Sequence, residues 1–252
     1  MFAGYERFAA ASALTRVRRV PRPARELVRS AVDRLPPSAF RGRAESAQRF
    51  LAQAERSDLD AYRGWISFVK DPWRDQLLCG QQGWALDDYA RAYGRTNGDP
   101  VERLLALNLE TYLLDDLLPK ADRMSMAHGL EVRAPFLDRA LVEYALSLPR
   151  SYKLRGTSLK RILRHFARDL LPAEILGRRK RGFGVPLDRW FRTDLRSLVE
   201  SRLGAPDARV RSHLDGDALD GLLAEHAGRR VNHGHGLWTL LTLELFLRRE
   251  DW

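Results

Sequence analysis

Apolar residues recur along this chain at the spacing of helix faces and almost nowhere at the spacing of strands. Leu159, Ile162, Leu163, Phe166 and Leu170 fall at i, i+3, i+4, i+7 and i+11, and Pro172 closes the run. Leu141, Tyr144, Ala145 and Leu148 repeat the pattern and stop at Pro149. Asp188 stands where an N-cap would precede a helix burying Phe191, Leu195, Leu198 and Val199. Asp217 is in the same relation to Leu219, Leu222, Leu223 and His226. Residues 24–34, 45–55, 102–118 and 237–249 complete the helical expectation, with punctuation at Pro36-Pro37 and Asn97-Gly98-Asp99-Pro100. Val and Ile are sparse and never alternate with polar residues, so the buried strands of a nucleotide-binding α/β sheet are missing from the pattern. A mainly helical fold follows. The turn-rich stretch 205–216 is expected to be a linker.

Charge is the next constraint. Among 252 residues, 43 Lys+Arg face 33 Asp+Glu, a formal charge of +10. That balance would suit a nucleic-acid binder. Nearly all of it is arginine, however, with lysine only at positions 70, 120, 153, 160 and 180. A GC-rich coding sequence produces the same bias, and this ranks ahead of nucleic acid as a partner. The apolar window Leu237 to Leu247 is too short to span a bilayer and contains Glu244, which argues against a membrane. The N-terminus has the Ala, Ser and Arg of a transit peptide, but Glu6 and the aromatic residues at 2, 5 and 8 favour mature sequence. The single cysteine, Cys79, excludes an intrachain disulfide and a thiolate zinc cluster. A cytoplasmic location is the expectation.

Three stretches depart from arginine faces around leucine cores. Residues 115–138 gather Asp115, Asp116, Lys120, Asp122, Arg123, Glu131, Arg133 and Asp138 around Ser125, His128 and Gly129, as a polar network would. The plainer reading is that Asp122–Arg123 and Glu131–Arg133 are ordinary ion pairs. Arg178-Arg179-Lys180-Arg181-Gly182-Phe183-Gly184 joins four cations to a glycine-containing turn, a composition able to hold a polyphosphate. The Walker spacing is absent, and a solvated turn is the plainer account. His226, His233 and His235 lie close together, with no carboxylate or cysteine at metal-site spacing, so packing histidines are expected and no metal site is identifiable.

Two of these stretches, DDLLPKADRMSMAHGLEVRAPFLD and then RRKRGFGVPLDRWF, resemble in order and spacing the C-terminal part of the synthetase domain of glutamine-dependent asparagine synthetases. The opening FAGYERF resembles the continuation of that family's G-D-E-L-F-A-G-Y signature, and the tail HGLWTLLTLELFLRR also fits. The resemblance implies a helical C-terminal part of an α/β adenine-nucleotide α-hydrolase-like, pyrophosphate-loop domain. Its parallel sheet, the S-G-G-x-D-S loop and a cysteine-nucleophile glutaminase would lie upstream and act as partners in cis or in trans. Residues 1–100 would be the helical region after G-D-E, 101–204 the cleft-forming helices with the Lys180 loop, and 205–252 the C-terminal helices. In the complete family enzymes ATP, with Mg2+, activates aspartate as an acyl-adenylate, and ammonia from glutamine displaces AMP. This stretch alone is expected to hold neither cofactor tightly and to be inactive by itself. Its helices are expected to expose apolar faces.

Carried over by position, Lys180 becomes the catalytic lysine that neutralises charge in the adenylation and acyl-transfer transition states. Lys120, Asp122 and Arg123 fall in the cleft-building stretch, and Glu131 with Arg133 resembles a buried ion-pair frame. Related β-lactam-forming ligases place a Tyr–Glu pair at positions resembling Tyr5 and Glu131; the location is carried over, not the role. Two departures stand out. Leu114 and Pro119 replace the family's proline and valine, and a proline there removes a backbone hydrogen bond just before Lys120. Other readings are an amidotransferase acting on a peptide or surface-saccharide carboxylate, and a basic helical module binding nucleic acid.

Overall fold

The computed structural model describes residues 1–35, 39–79, 86–178, 184–229 and 231–250. Among them the chain is helical throughout, with no strand and one isolated bridge between Arg155 and Ser158. It divides into two compact units, Met1–Trp65 with Ala85–Arg179, and Ile66–Trp84 with Lys180–Trp252.

The first unit is built around the helix Pro100–Asn108. The expected turn at Asn97–Pro100 starts it: Asp99 Oδ1 accepts from the Val101 and Glu102 amides at 2.8 and 3.2 Å, and Pro100 takes an N-terminal position whose missing N–H costs nothing. Val101, Leu104, Leu105 and Leu107 are buried on most sides of this helix. Burial of each such side chain contributes about 1.5–3 kcal/mol. The helix Glu6–Val17 packs against it and buries Phe8, Ala11 and Leu14. Leu14 also joins Ala54 and Ala61 in a cluster edged by Val17, Phe50 and Trp65.

Not every amphipathic helix in this unit is covered. Arg139–Ser147 and Arg161–Phe166 form where the periodicity places them, yet Tyr144, Phe166 and Leu170 stay exposed. So do Met124, Met126, Leu130, Val132, Phe136 and Leu171.

In the second unit one cluster joins Leu77, Leu187, Phe191, Val199, Leu203, Leu219, Leu222, Leu237, Leu240 and Leu241. It draws on the helices Trp73–Leu77, Leu187–Arg192, Arg196–Arg202, Gly216–Ala227 and Gly234–Arg249. The stretch 205–216 is not the expected linker. It contains the 3-10 turn Arg209–Ser212, and Ala208 and Val210 sit in the core. Glu244, the acid inside the apolar window, is the reason. Its carboxylate is fully buried, accepts the Val210 amide at 2.9 Å and pairs with Arg248.

The two expected caps also move. Asp215 caps Gly216–Ala227 by accepting from the Ala218 amide at 2.8 Å, and Asp217 lies inside the helix, in its first turn. Leu187–Arg192 begins after Pro186, which puts Asp188 inside the helix, where it pairs with Arg192 one turn on.

Candidate functional site

The site is assembled from the N-terminal strip of the first unit. Ala3 is buried with φ at 49°, a left-handed conformation that a non-glycine residue adopts only under constraint. Lys160 supplies part of that constraint. A methyl group at Gly4 would lie 2.5 Å from Lys160 Cε, so the lysine stem crosses the bare α-carbon and would have to shift to admit a side chain there. On either side, Phe2 meets the Phe136 ring edge-on at 6.1 Å and Tyr5 meets Tyr112 at 5.9 Å. The strip therefore touches both ends of the stretch that carries the candidate residues.

Arg7 orients Tyr5 from below. Its guanidinium lies 4.2 Å from the Tyr5 ring centre, 5.1 Å from Tyr112 and 5.5 Å from Tyr62, and it donates to Asn108 Oδ1 at 2.8 Å. Asn108 in turn donates to the Tyr62 hydroxyl and the Leu104 carbonyl. Burial is the main reason the Tyr62 phenol is pushed up to about 12, so it stays protonated as part of this scaffold.

The expected helix over 102–118 changes character midway. After Asn108 the chain runs as a π-helix, Leu109–Leu117, and returns to α-helix at Leu118–Met126. The Leu118 amide donates to Leu113, five residues back. Pro119 follows it, and the helical path continues through the proline with its hydrogen-bond pattern altered. Lys120 pairs with Asp116 one turn back, at 3.0 and 3.2 Å. The side chains of Asp122 and Arg123 are exposed and carry no ion pair among the described residues. Gly129 ends the helix at φ 66°: its amide bonds to Met126, and the Leu130 amide reaches Ser125, both at 3.0 Å. This pair of bonds is the Schellman arrangement, which favours glycine at its left-handed position.

Glu131 and Arg133 do pair, at 2.6 Å, but the expectation of a buried frame is corrected. Their side chains are 70% and 81% exposed, because among the described residues no element packs over residues 130–134. An ion pair so exposed adds little stability. Lys180 lies outside the described residues. Sequence reasoning passed over three members of the site: Arg7, Tyr112 and Lys160. Lys160 did carry a signal, being one of five lysines in a chain that otherwise uses arginine.

The histidines belong to the second unit and pack. His233 Nε2 lies 2.9 Å from Glu225 Oε2, which also accepts from Trp73 Nε1 at 3.1 Å; His235 stacks on Phe68. Among the described residues no group of three His, Cys, Asp or Glu side chains is placed to share a metal ion. No described helix is long and apolar enough to cross a membrane.

Comparison with known proteins places the two motifs in a wider frame. The family profile described as Asparagine synthase matches residues 1–248. A protein of Mycobacterium tuberculosis, provisionally named a glutamine-hydrolyzing asparagine synthetase, is 32% identical over 249 residues, 98% of this chain and 37% of its own length. Glutamine-hydrolyzing asparagine synthetase 1 of Bacillus subtilis is 28% identical over 141 residues, 56% of this chain and 22% of its own. The enzyme of that name from Cricetulus griseus is 41% identical over 109 residues, 40% and 18% respectively. The chain thus spans little more than a third of the length of the first of these relatives. No solved structure gives a significant match.

Proposed function

The chain belongs to the asparagine synthase family, and from that premise we propose that it is the helical C-terminal portion of a synthetase domain that converts aspartate to asparagine with ATP and glutamine-derived ammonia. The observation carrying this reading is the convergence on the N-terminal strip. Phe136, Tyr112 and Lys160 all meet Phe2–Tyr5, so the family's opening and central motifs form one surface.

The chemistry proposed for the complete enzyme is attack of the aspartate side-chain carboxylate on ATP, release of pyrophosphate, and displacement of AMP from the acyl-adenylate by ammonia. A carboxylate and a polyphosphate repel each other, so the surface receiving them has to be cationic. Lys160 suits that task. It is an exposed point charge, held beside Gly4, with no carboxylate paired to it among the described residues. Lys120 is tied to Asp116 at the far end of the π-helix, which fixes its position and tempers its charge. Tyr5 is held by the Arg7 cage, where its hydroxyl can position a substrate. Lys180 is proposed as a further cation on the strength of the motif alone. The described residues contain no carboxylate cluster suited to Mg2+, and no step is routed through the metal. The pyrophosphate-loop half and the glutaminase are proposed as partners, in cis or in trans.

The test is aspartate-dependent exchange of labelled pyrophosphate into ATP. It is measured with the chain alone and with the upstream segment of a longer relative supplied in trans. Alone, the chain should give no exchange; with the segment, exchange should appear and should fall about a hundredfold in Lys160→Ala, the usual scale for removing one transition-state charge contact. Exchange by the chain alone, or exchange that follows a carboxylate other than aspartate, would overturn the proposal.

A further inference from the structure

The helix Arg22–Asp33 of the first unit has 12 residues, and none of them is buried. Arg25 fastens it to Glu55 at 3.0 Å, and the Gln48 side chain donates to the Val32 and Leu35 carbonyls at 3.1 and 2.9 Å. Its other faces differ sharply. Ala24, Leu27, Val28 and Ala31 recur at i, i+3, i+4 and i+7 as one exposed stripe, with Leu27 73% and Val28 52% accessible. Val20, just before the helix, is exposed as well. Arg22, Glu26, Arg29 and Asp33 lie on the opposite side and pair one turn apart, at 2.8 and 3.5 Å. A helix this short gains little stability by itself in water, so the bare stripe calls for an apolar surface to cover it.

Charge selects that surface. Residues 16–34 contain seven arginines against Glu26 and Asp33 alone. Both acids are paired with Arg22 and Arg29, while Arg18 and Arg25 pair with Asp58 and Glu55. Arg16, Arg19 and Arg34 remain, all exposed and with no carboxylate paired to them among the described residues. Arg19 stands just before the helix and Arg34 just after it, so cations bracket the stripe at both ends. A second copy seated on the stripe would bring like charges together. Parallel helices place Arg19 beside Arg19, and antiparallel helices place Arg19 beside Arg34. A nucleic acid would satisfy the cations and leave Leu27 and Val28 in water. An anionic lipid surface meets both needs, with phosphates around the arginines and acyl chains beneath the stripe. No described helix can cross a membrane, but a helix lying on one does not have to.

We propose that the helix Arg22–Asp33 docks this chain on an anionic lipid surface. Leu27 and Val28 insert between the headgroups, and Arg19 and Arg34 meet the phosphates.

Flotation of the purified chain with vesicles of phosphatidylcholine containing about 30% phosphatidylglycerol tests this. The chain should float with these vesicles in about 0.1 M salt, stay behind when they are pure phosphatidylcholine, and be released in about 1 M salt, where charges are screened within ~3 Å. Leu27→Gln combined with Val28→Gln should abolish flotation. Arg19→Gln combined with Arg34→Gln should weaken binding about thirtyfold, about fivefold for each cation. All four positions are exposed, so the far-UV circular dichroism of both variants should match the parent. Phe166→Gln, on a different exposed apolar face, should float as the parent does. No flotation, equal flotation with pure phosphatidylcholine, flotation that survives the Leu27 and Val28 changes, or its loss in Phe166→Gln would overturn the proposal. So would lipid-free self-association that the Leu27 and Val28 changes remove, which would make a second copy the occupant.

Discussion

Replacing Arg7 with methionine keeps an unbranched stem and removes the group that organises the floor of the candidate site. The change deletes the 2.8 Å bond to Asn108 Oδ1 and the guanidinium that faces Tyr5, Tyr112 and Tyr62. A hydrogen bond to a charged group contributes about 1.5–3 kcal/mol. A cation over aromatic faces adds about 0.5–2 kcal/mol, counted once here because one guanidinium cannot bind three rings independently. The expected loss is about 2–5 kcal/mol. Asn108 keeps both bonds made by its Nδ2, so Oδ1 alone loses its partner. Urea unfolding followed by far-UV circular dichroism measures the loss. A double-mutant cycle with Asn108→Ala should return a coupling of at least about 1 kcal/mol, as expected for residues in direct contact. Arg7→Lys should recover less than half of the loss, because an ammonium lacks the planar fork. A methionine variant within about 0.5 kcal/mol of the parent, the range of neutral surface changes, would refute the cage, and so would a coupling near zero.

Three further outcomes follow from the same structure. Glu244→Ala should cost more than Glu244→Gln in urea unfolding, by about 1–3 kcal/mol, because only the alanine leaves the buried Val210 amide without an acceptor; equal losses would refute that bond as the anchor of the 209–212 turn. Gly129→Ala should cost about 1–2 kcal/mol through its left-handed φ alone, since nothing lies within 4 Å of the added methyl, and a neutral result would contradict the Schellman ending. The folded His226 pKa lies below its ordinary 6.5, so its contribution to stability is complete above that value and declines as pH falls from 6.5 toward the folded pKa. The urea midpoint should therefore drop over that interval, and His226→Asn should flatten the slope; an unchanged slope would show that other groups set it.

Helix positions were legible in the sequence wherever a local signal sufficed. Asn97-Gly98-Asp99-Pro100 marks a break before a helix, and the 3.6-residue recurrence marks the elements Arg139–Ser147 and Arg161–Phe166. Burial was less legible, because periodicity says which face is apolar and nothing about whether another element covers it. Phe166 and Phe191 carry the same kind of signal, yet one is 70% exposed and the other 3%. The misread linker has a similar origin. The composition of 205–216 is that of a turn, and only Glu244, far along the chain, explains why that turn is held in the core. For the site, motifs located Tyr5 and residues 115–138. Lys160 and Arg7 act through contacts across long sequence separations, which no local pattern records.

The helix that carries Lys120, Asp122 and Arg123 shows how sequence departures become geometry. A proline at 119 has no N–H to return to the preceding turn, and in a uniform α-helix that leaves a carbonyl unsatisfied. Here the bond just before it is already a five-residue one, from Leu118 to Leu113, so the proline falls where the π-helix gives way to α-helix. A π stretch also resets the rotation of whatever follows it. Val101, Leu104 and Leu105 point into the core before it, whereas no residue of Leu118–Met126 is buried after it. The helix therefore enters the site with its face fixed by the π stretch, and it leaves through a glycine turn that only one backbone conformation satisfies. Both ends are set by the backbone, so the polar side chains between them can stay exposed with Lys120–Asp116 as their ion pair among the described residues.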